Sequence, residues 1–408
     1  MSRAFSIALA AGMLAATAAV HAAPPTLDAL LKPDRTTLVD LSPDGAYLVL
    51  TVREPKNGKN RVLLGVVDRA TMKPVRFLDP GQEEEIARVS WVSDRRMYLR
   101  TAFAIGDFRQ YVLDGAIVAV NVDGTREERL GGWIVDTLPD DPGHVLQARC
   151  EGAWHEECRS YVDRVEPNLR GGRERVAEGP ATLVDYAADA AGNLRFAERD
   201  SHARVQTIWY REGGQWRVLH EQGDDRGPRV YVLGTTRDGS AAFLQRERPG
   251  ATDVVERFEF ATGTRTELLS DPVHDPLAVR LSADGRVPIG VAYGPGVPRA
   301  RFFDPDHPDA KLLRALEKQF PEDAVRFTAG SRDGRHVLVE VEGNRDPGSF
   351  YLYDREAKSL VLVARRREWL DPAAMAPTEV VELKASDGTA MHGYLTLPVA
   401  STPGRKPP

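Results

Sequence analysis

A short turn signature recurs seven times along this chain at a nearly constant interval. Its clearest copies read Leu41-Ser-Pro-Asp-Gly45 and Leu281-Ser-Ala-Asp-Gly285, and each precedes a run of apolar residues. Proline presets φ for a tight turn, aspartate caps it locally, and glycine accepts the positive φ that closes it. The aspartates of the seven copies lie 46 to 50 residues apart and are Asp44, Asp94, Asp141, Asp189, Asp238, Asp284 and Asp333. The third and fourth copies are degenerate, so their assignment depends on the even spacing.

A second pattern alternates with the first and consists of an amphipathic strand, a polar turn and another strand. Examples begin at Val118, Phe258 and Tyr351. The two patterns together give four strands per repeat, which is the size of a propeller blade. A single blade cannot bury both of its faces, so such units stack around a ring. The sequence therefore predicts an all-β, seven-bladed β-propeller over residues 23–370. Two packed sandwiches, the alternative all-β fold, would not explain one period across residues 41–355.

One helix is expected to interrupt the strands. Between Asp309 and Phe320 the apolar side chains fall on one helical stripe, and Pro321 stops the pattern. We expect this helix at a rim between the sixth and seventh units, as a packing insertion.

The first 22 residues have the pattern of a signal peptide. Arg3 precedes an apolar stretch from Ala4 to Val20, and small residues then predict cleavage between Ala22 and Ala23. No later segment approaches the about 20 apolar residues of a membrane span. We therefore expect an exported protein, periplasmic or secreted, without a membrane attachment after cleavage.

Charge gives no support for nucleic acid as a partner. The formal net charge is −6, and the one basic run, Arg365 to Arg367, lies beside Glu368 and Asp371. This run is interpreted as a solvated linker. Nothing in the sequence indicates an oligomeric state.

The only two cysteines, Cys150 and Cys158, flank what is interpreted as a hairpin tip. In an oxidising compartment two nearby cysteines most often pair, so a disulfide is predicted. The alternative is a metal site that adds His144 and His155. It would need both thiolates free and a spacing that no common zinc module has. No metal and no cofactor is therefore expected.

The pattern changes after Leu370. Residues 371–377 are interpreted as a linker, and the segments Val380–Leu383 and His392–Leu397 predict a hairpin around Ser386-Asp-Gly388. That hairpin has no partner layer within the chain.

The arrangement resembles the prolyl oligopeptidase family of serine peptidases, in its bacterial acylaminoacyl-peptidase and dipeptidyl-peptidase-like branch. The resemblance is carried by the turns, by Asn344 to Asp354, by Trp369 to Pro377 and by Asp387 to Pro398. It implies that residues 378–408 are the truncated start of an α/β-hydrolase domain, which in the family carries a serine nucleophile on a G-x-S-x-G turn. No such motif occurs in these 408 residues.

The resemblance therefore assigns no catalytic residue, and we expect the chain to be inactive alone. On this hypothesis it is a propeller that gates the access of short peptides to a catalytic domain missing from this chain. One alternative is a freestanding exported propeller that binds a peptide, protein or other ligand, since fold does not fix function. The other is an enzyme with its site inside the propeller. Chemistry of that kind needs converging carboxylates or histidines, and the nine histidines are scattered.

Overall fold

The computed structural model describes residues 25–56, 59–81, 84–105, 110–151, 158–169, 171–201 and 204–398. In these residues, seven antiparallel sheets of consecutive strands follow one another along the chain, and an eighth sheet is a two-stranded hairpin. The seven sheets are the blades of the propeller that the repeat predicts.

The first four blades each contain four strands. Blade 1 contains β1 Val39–Leu41, β2 Tyr47–Lys56, β3 Lys59–Asp68 and β4 Lys73–Leu78. Blade 2 contains β5 Glu84–Trp91, β6 Arg96–Ile105, β7 Gln110–Asn121 and β8 Glu128–Gly131. Blade 3 contains β9 Trp133–Asp136, β10 Val145–Glu151, β11 Arg159–Val165 and β12 Arg173–Thr182. Blade 4 contains β13 Asp185–Ala188, β14 Leu194–Asp200, β15 Gln206–Glu212 and β16 Gln215–Glu221.

The remaining elements complete the ring and its two ends. Blade 5 contains β17 Val230–Thr235, β18 Ala241–Arg248, β19 Ala251–Glu259 and β20 Arg265–Ser270. Blade 6 contains β21 Ala278–Leu281, β22 Pro288–Tyr293 and β23 Arg299–Phe302. Blade 7 contains β24 Asp323–Gly330, β25 His336–Gly343, β26 Ser349–Asp354 and β27 Ser359–Arg365. The helices are α1 Leu27–Leu31, α2 Pro308–Gln319 and a 3₁₀ turn at Pro372–Ala374, and the hairpin is β28 Thr378–Lys384 with β29 Ala390–Thr396.

All seven marker aspartates lie in the turn between the first and second strands of a blade. In blade 1, Ser42 Oγ donates to Asp44 Oδ1 at 2.6 Å, the Ala46 amide donates to the same oxygen at 3.0 Å, and the Tyr47 amide donates to Ser42 Oγ. Gly45 has a φ of 70°. The same bonds recur in blades 5, 6 and 7. In these four blades the signature is thus a hydrogen-bonded turn that starts the second strand.

The degenerate third copy has different chemistry. Asp141 contacts His144 at 3.1 Å and forms an ion pair with Arg164 on β11. Its carboxylate therefore fastens the turn to a neighbouring strand, which explains why the local signature is lost while the spacing stays.

The prediction of four strands in every blade is wrong for blade 6. Helix α2 follows β23 where the other blades have a fourth strand. His307 caps its start, and Leu313 and Leu316 are buried in a cluster with Val325 and Val339 of blade 7. The helix therefore lies between the sixth and seventh blades, and a buried stripe of leucines replaces the outer strand.

The ring closes where blade 1 meets blade 7. Among the described strands none is shared between these two sheets, so side chains make the contact. Leu41 and Leu48 of blade 1 form one buried cluster with Leu338 and Phe350 of blade 7. The Arg332 amide also donates to the Pro43 carbonyl at 2.6 Å. Apolar packing and this link hold the two ends of the ring together.

Candidate functional site

The first strands of the blades surround a central channel. Strand β1 contacts β24, β9 contacts β13, and β21 contacts β24, so these strands lie innermost. Because the strands are antiparallel, the turns after the first strands lie at one end of the channel, which we call the turn face. The opposite end, the hairpin face, carries the ends of β2 and β6, the starts of β3 and β7, the entry into β1 and the exit from β27.

A cavity of about 490 Å³ lies between blades 7, 1 and 2. Its apolar wall includes Leu38, Ile86 and Phe350. Its charged side chains are Arg53, Arg88, Arg326 and Arg366 together with Asp40, Glu85 and Glu340. The channel is therefore highly charged at this level, with one more guanidinium than carboxyl group.

Glu340 anchors one side of this cavity and is only 2% exposed. Arg326 Nε donates to it at 2.9 Å and Arg366 Nε at 3.2 Å. Arg366 also donates to the Thr37 carbonyl at 3.1 Å, and Arg367 donates to Asp34 at 2.6 Å. The interpretation of Arg365 to Arg367 as a solvated linker is therefore wrong, because two of these arginines bind blade 7 to the segment that enters blade 1.

Arg53 and Glu85 form the wall between blades 1 and 2. Arg53 Nη1 lies 2.5 Å from Glu85 Oε1, and both side chains are largely buried. The Tyr111 hydroxyl donates to the same carboxylate at 2.9 Å. Arg53 on β2 and Tyr111 on β7 both hold the Glu85 carboxylate in place, so this part of the cavity wall has a fixed position.

Asp40 lies in the middle of the channel, where it lines this cavity and a second one toward the turn face. Burial raises the pKa of Asp40 to about 7, against the opposing effects of the Leu41 amide at 2.7 Å and the positive charge of Arg88. An aspartate of this kind changes its charge near neutral pH.

The turn-face end of the channel is crossed by arginines. Arg286 of blade 6 reaches Asp136 of blade 3 at 2.8 Å, and it donates to the Ala190 and Asp189 carbonyls of blade 4 at 3.1 and 3.3 Å. Arg332 of blade 7 similarly donates a hydrogen bond to Asp94 of blade 2 at 3.0 Å. The cavity of about 370 Å³ at this end is thus narrowed by side chains that span the ring.

Two apolar features lie at the hairpin face. In the hairpin β28–β29, six large apolar side chains are 39–65% exposed: Val380, Leu383, Met391, Tyr394, Leu395 and Leu397. The paired ends of β6 and β7 carry five that are 39–50% exposed: Phe103, Ile105, Tyr111, Val112 and Leu113. The hairpin touches blade 6 through the Gly296 amide, which donates to the Tyr394 hydroxyl at 3.3 Å, and through His274 beside His392. Much of its surface has no partner among the residues described.

The sequence singled out the two cysteines and the cleavage site. Cys150 and Cys158 are joined by a disulfide, with Cα atoms 5.4 Å apart. Ala22, Ala23 and His155 lie outside the described residues. In the part of the chain that the structure describes, no group of three or more metal-ligating side chains occurs, and no helix is long and apolar enough to cross a membrane.

Sequence reasoning missed the channel residues Asp40, Arg88, Arg100 and Arg286. A signal for one of them was present, because Asp40 lies between Val39 and Leu41 in an otherwise apolar strand. Charged residues within buried strands are uncommon and mark places where something polar faces them.

No protein-family model matches the sequence, and no curated protein does. Solved structures do match. A structure from a study of two prolyl endopeptidases has 11% identity and a TM-score of 0.59, over 91% of this chain and 55% of that one. Prolyl oligopeptidase B from Galerina marginata, bound to a 25mer macrocyclization substrate, has 11% identity and a TM-score of 0.55, over 89% and 55%. Puromycin hydrolase has 14% identity and a TM-score of 0.56, over 92% and 61%.

The chain therefore spans a little more than half of the length of these proteins. At such low identity the likeness establishes the fold. This protein has the seven-bladed propeller fold, and the solved proteins to which it is similar in structure include prolyl oligopeptidases and puromycin hydrolase.

Proposed function

We propose that this chain is the propeller portion of an exported serine peptidase of the prolyl oligopeptidase type. On this proposal a catalytic α/β-hydrolase domain docks on the hairpin face, and the propeller admits short peptides to it while it excludes folded proteins. The chain itself supplies no nucleophile.

The observation that carries the proposal is the β28–β29 hairpin. A two-stranded sheet is marginally stable by itself in water. Full burial of a large apolar side chain contributes roughly 1.5–3 kcal/mol, and these side chains, which are 39–65% exposed, forgo about half of it. Tyr394 is 65% exposed and Leu383 49%. A hairpin of this composition is suited to form the edge of a larger sheet or to pack under another layer.

The paired ends of β6 and β7 support the same docking face. Phe103, Val112 and Leu113 are only about half buried there, at the end of the channel from which the β28–β29 hairpin emerges. Large exposed apolar patches on a protein surface mark interaction sites. Two separate apolar features on one face fit a single large partner domain.

The channel supports a gating role. Arg286 and Arg332 cross its turn-face end, while the cavity of about 490 Å³ lies toward the hairpin face. That volume is in the range of sites for small ligands. We therefore place peptide entry at the hairpin face, between the propeller and the catalytic domain.

Export is proposed from the leader, residues 1–22, and from the disulfide. The pairing of Cys150 with Cys158 fits an oxidising compartment such as the periplasm or the exterior.

The test uses the native protein. An antibody raised against residues 23–370 captures it from the exported fraction of cells that produce it, and the captured protein is treated with a biotinylated fluorophosphonate. The proposal predicts labelling of one serine in a peptide that is not part of these 408 residues. Capture of an unlabelled protein, or labelling of a serine within residues 23–408, would refute it. A sample first blocked with unlabelled fluorophosphonate is the control.

A further inference from the structure

Two arginines face each other in the middle of blade 2. Arg88 on β5 and Arg100 on β6 are directly paired in the strand register. Side chains at paired positions lie about 4.5–5.5 Å apart at Cβ, and like charges there destabilise a sheet. The pairing of two guanidinium groups therefore has a cost unless something negative lies between them.

Both side chains line a small pocket between blades 2 and 3. Its volume is about 140 Å³, and its polar lining also includes Ser90, Tyr98, Asp136 and Arg286. Tyr98 is already bonded to the Pro167 carbonyl, and Asp136 to Arg286 at 2.8 Å. The pocket thus holds three guanidinium groups and one carboxylate, and that carboxylate already has its own partner.

Within the described chain neither Arg88 nor Arg100 forms a hydrogen bond or an ion pair with a carboxylate. This sets them apart from their neighbours in the channel. Arg53, Arg326 and Arg366 each bind a glutamate. Asp40 acts on Arg88 only through its longer-range charge. Two guanidinium groups with unused donors therefore converge on one pocket.

We infer that Arg88 and Arg100 together bind the carboxylate or other oxyanion group of a ligand that enters the channel. Guanidinium groups bind planar carboxylates through paired, charge-assisted hydrogen bonds. A water molecule takes up about 30 Å³ of liquid, so the pocket has room for one such group and a few waters. Ile117 and Ile134 form an apolar part of the pocket wall, against which a short aliphatic part of the ligand can pack.

The proposed function implies that this group is the carboxyl end of a short peptide, and in this respect the inference rests on the proposed function. A small inorganic oxyanion has the same chemistry. The site itself lies wholly in blades 2, 3 and 6, so it can be tested in the purified chain without any catalytic domain.

The experiment measures binding by calorimetry to purified residues 23–408 at constant ionic strength. The probes are sodium sulfate, tri-alanine with a free carboxyl end, and tri-alanine amide. We expect sulfate and the free acid to bind competitively, and the amide to bind about tenfold more weakly or worse. The variants R88Q and R100Q each lose about tenfold or more in affinity for both anions. R159Q is the matched control, since the Arg159 side chain is 73% exposed, and it binds like the wild type.

A second readout separates binding from a structural role. In chloride buffer without either probe, R100Q should melt at the same temperature as the wild type or higher, because a repulsion is removed. A lower melting temperature would mean that Arg100 serves the fold, and it would overturn the inference. Equal affinity for the acid and the amide would overturn carboxylate recognition, and anion binding that survives both substitutions would overturn the site. Binding of sulfate but not of the free acid would refute the peptide source and leave the oxyanion site established.

Discussion

Replacement of Arg286 by methionine should both weaken the fold and open the turn-face end of the channel. Arg286 is 20% exposed and its partner Asp136 11%, so the change leaves a nearly buried carboxylate without its cation. Loss of one partner of a buried pair costs about 3–5 kcal/mol. Asp136 still accepts a hydrogen bond from the Leu138 amide at 2.7 Å, which reduces this cost. We therefore expect the free energy of unfolding to fall by about 2–3 kcal/mol.

The assay is urea unfolding followed by tryptophan fluorescence, with the double variant R286M/D136L as the matched control. Removal of both charges leaves no unpaired group, so the double variant should recover at least half of the loss. A single variant within about 0.5 kcal/mol of the wild type would refute the reasoning. A double variant that loses the sum of both single changes would show that the two side chains do not act on each other.

Three further predictions follow from other regions. Burial raises the pKa of Asp40 to about 7, so between about pH 4 and pH 7 the folded state holds a proton that the unfolded chain has released. The stability of the fold therefore falls as the pH rises through this range. The D40N variant should therefore gain about 1–3 kcal/mol on the wild type between pH 5 and pH 8 in urea titrations, and a difference that does not vary with pH would contradict this. Replacement of Cys150 and Cys158 by serine should cost about 2–3 kcal/mol, and a non-reducing peptide map of the exported wild type should recover the disulfide; two unpaired thiols would contradict the pairing. In the purified chain, amides of Thr378–Thr396 should exchange faster than those of blade 7 by hydrogen-exchange mass spectrometry, and equal protection in a monomer would contradict the need for a partner layer.

The fold could be predicted because its information is local and repeated. The bonds of Ser42 and Asp44 within their own turn explain why the residue pattern recurs. Glycine at the next position supplies the required φ. Seven copies of such a turn at one interval leave few arrangements other than a ring.

The exceptions arose where distant contacts override local pattern. The sequence of blade 6 predicted the helix and its position between the sixth and seventh units, but not that α2 replaces a strand, which only the burial of Leu313 against blade 7 shows. Arg366 appeared solvated within a basic run, and its burial against Glu340 depends on a residue 26 positions away. Neither partner is marked in the local sequence.

The channel was less predictable for the same reason. Arg286 and Asp136 are 150 residues apart, and no spacing rule connects them. Arg88 and Arg100 become neighbours only through the register of β5 with β6. The apolar strand that contains Asp40 indicated that something polar faces this residue, but not what it is.

The central claim is that this chain serves a serine peptidase whose catalytic serine lies outside it. The most direct measurement treats purified residues 23–408 with a fluorophosphonate probe and determines the extent of labelling by intact-mass spectrometry, beside a known serine hydrolase as a positive control. We expect no stoichiometric labelling. Labelling of one site per chain, abolished by replacement of a single serine, would contradict it.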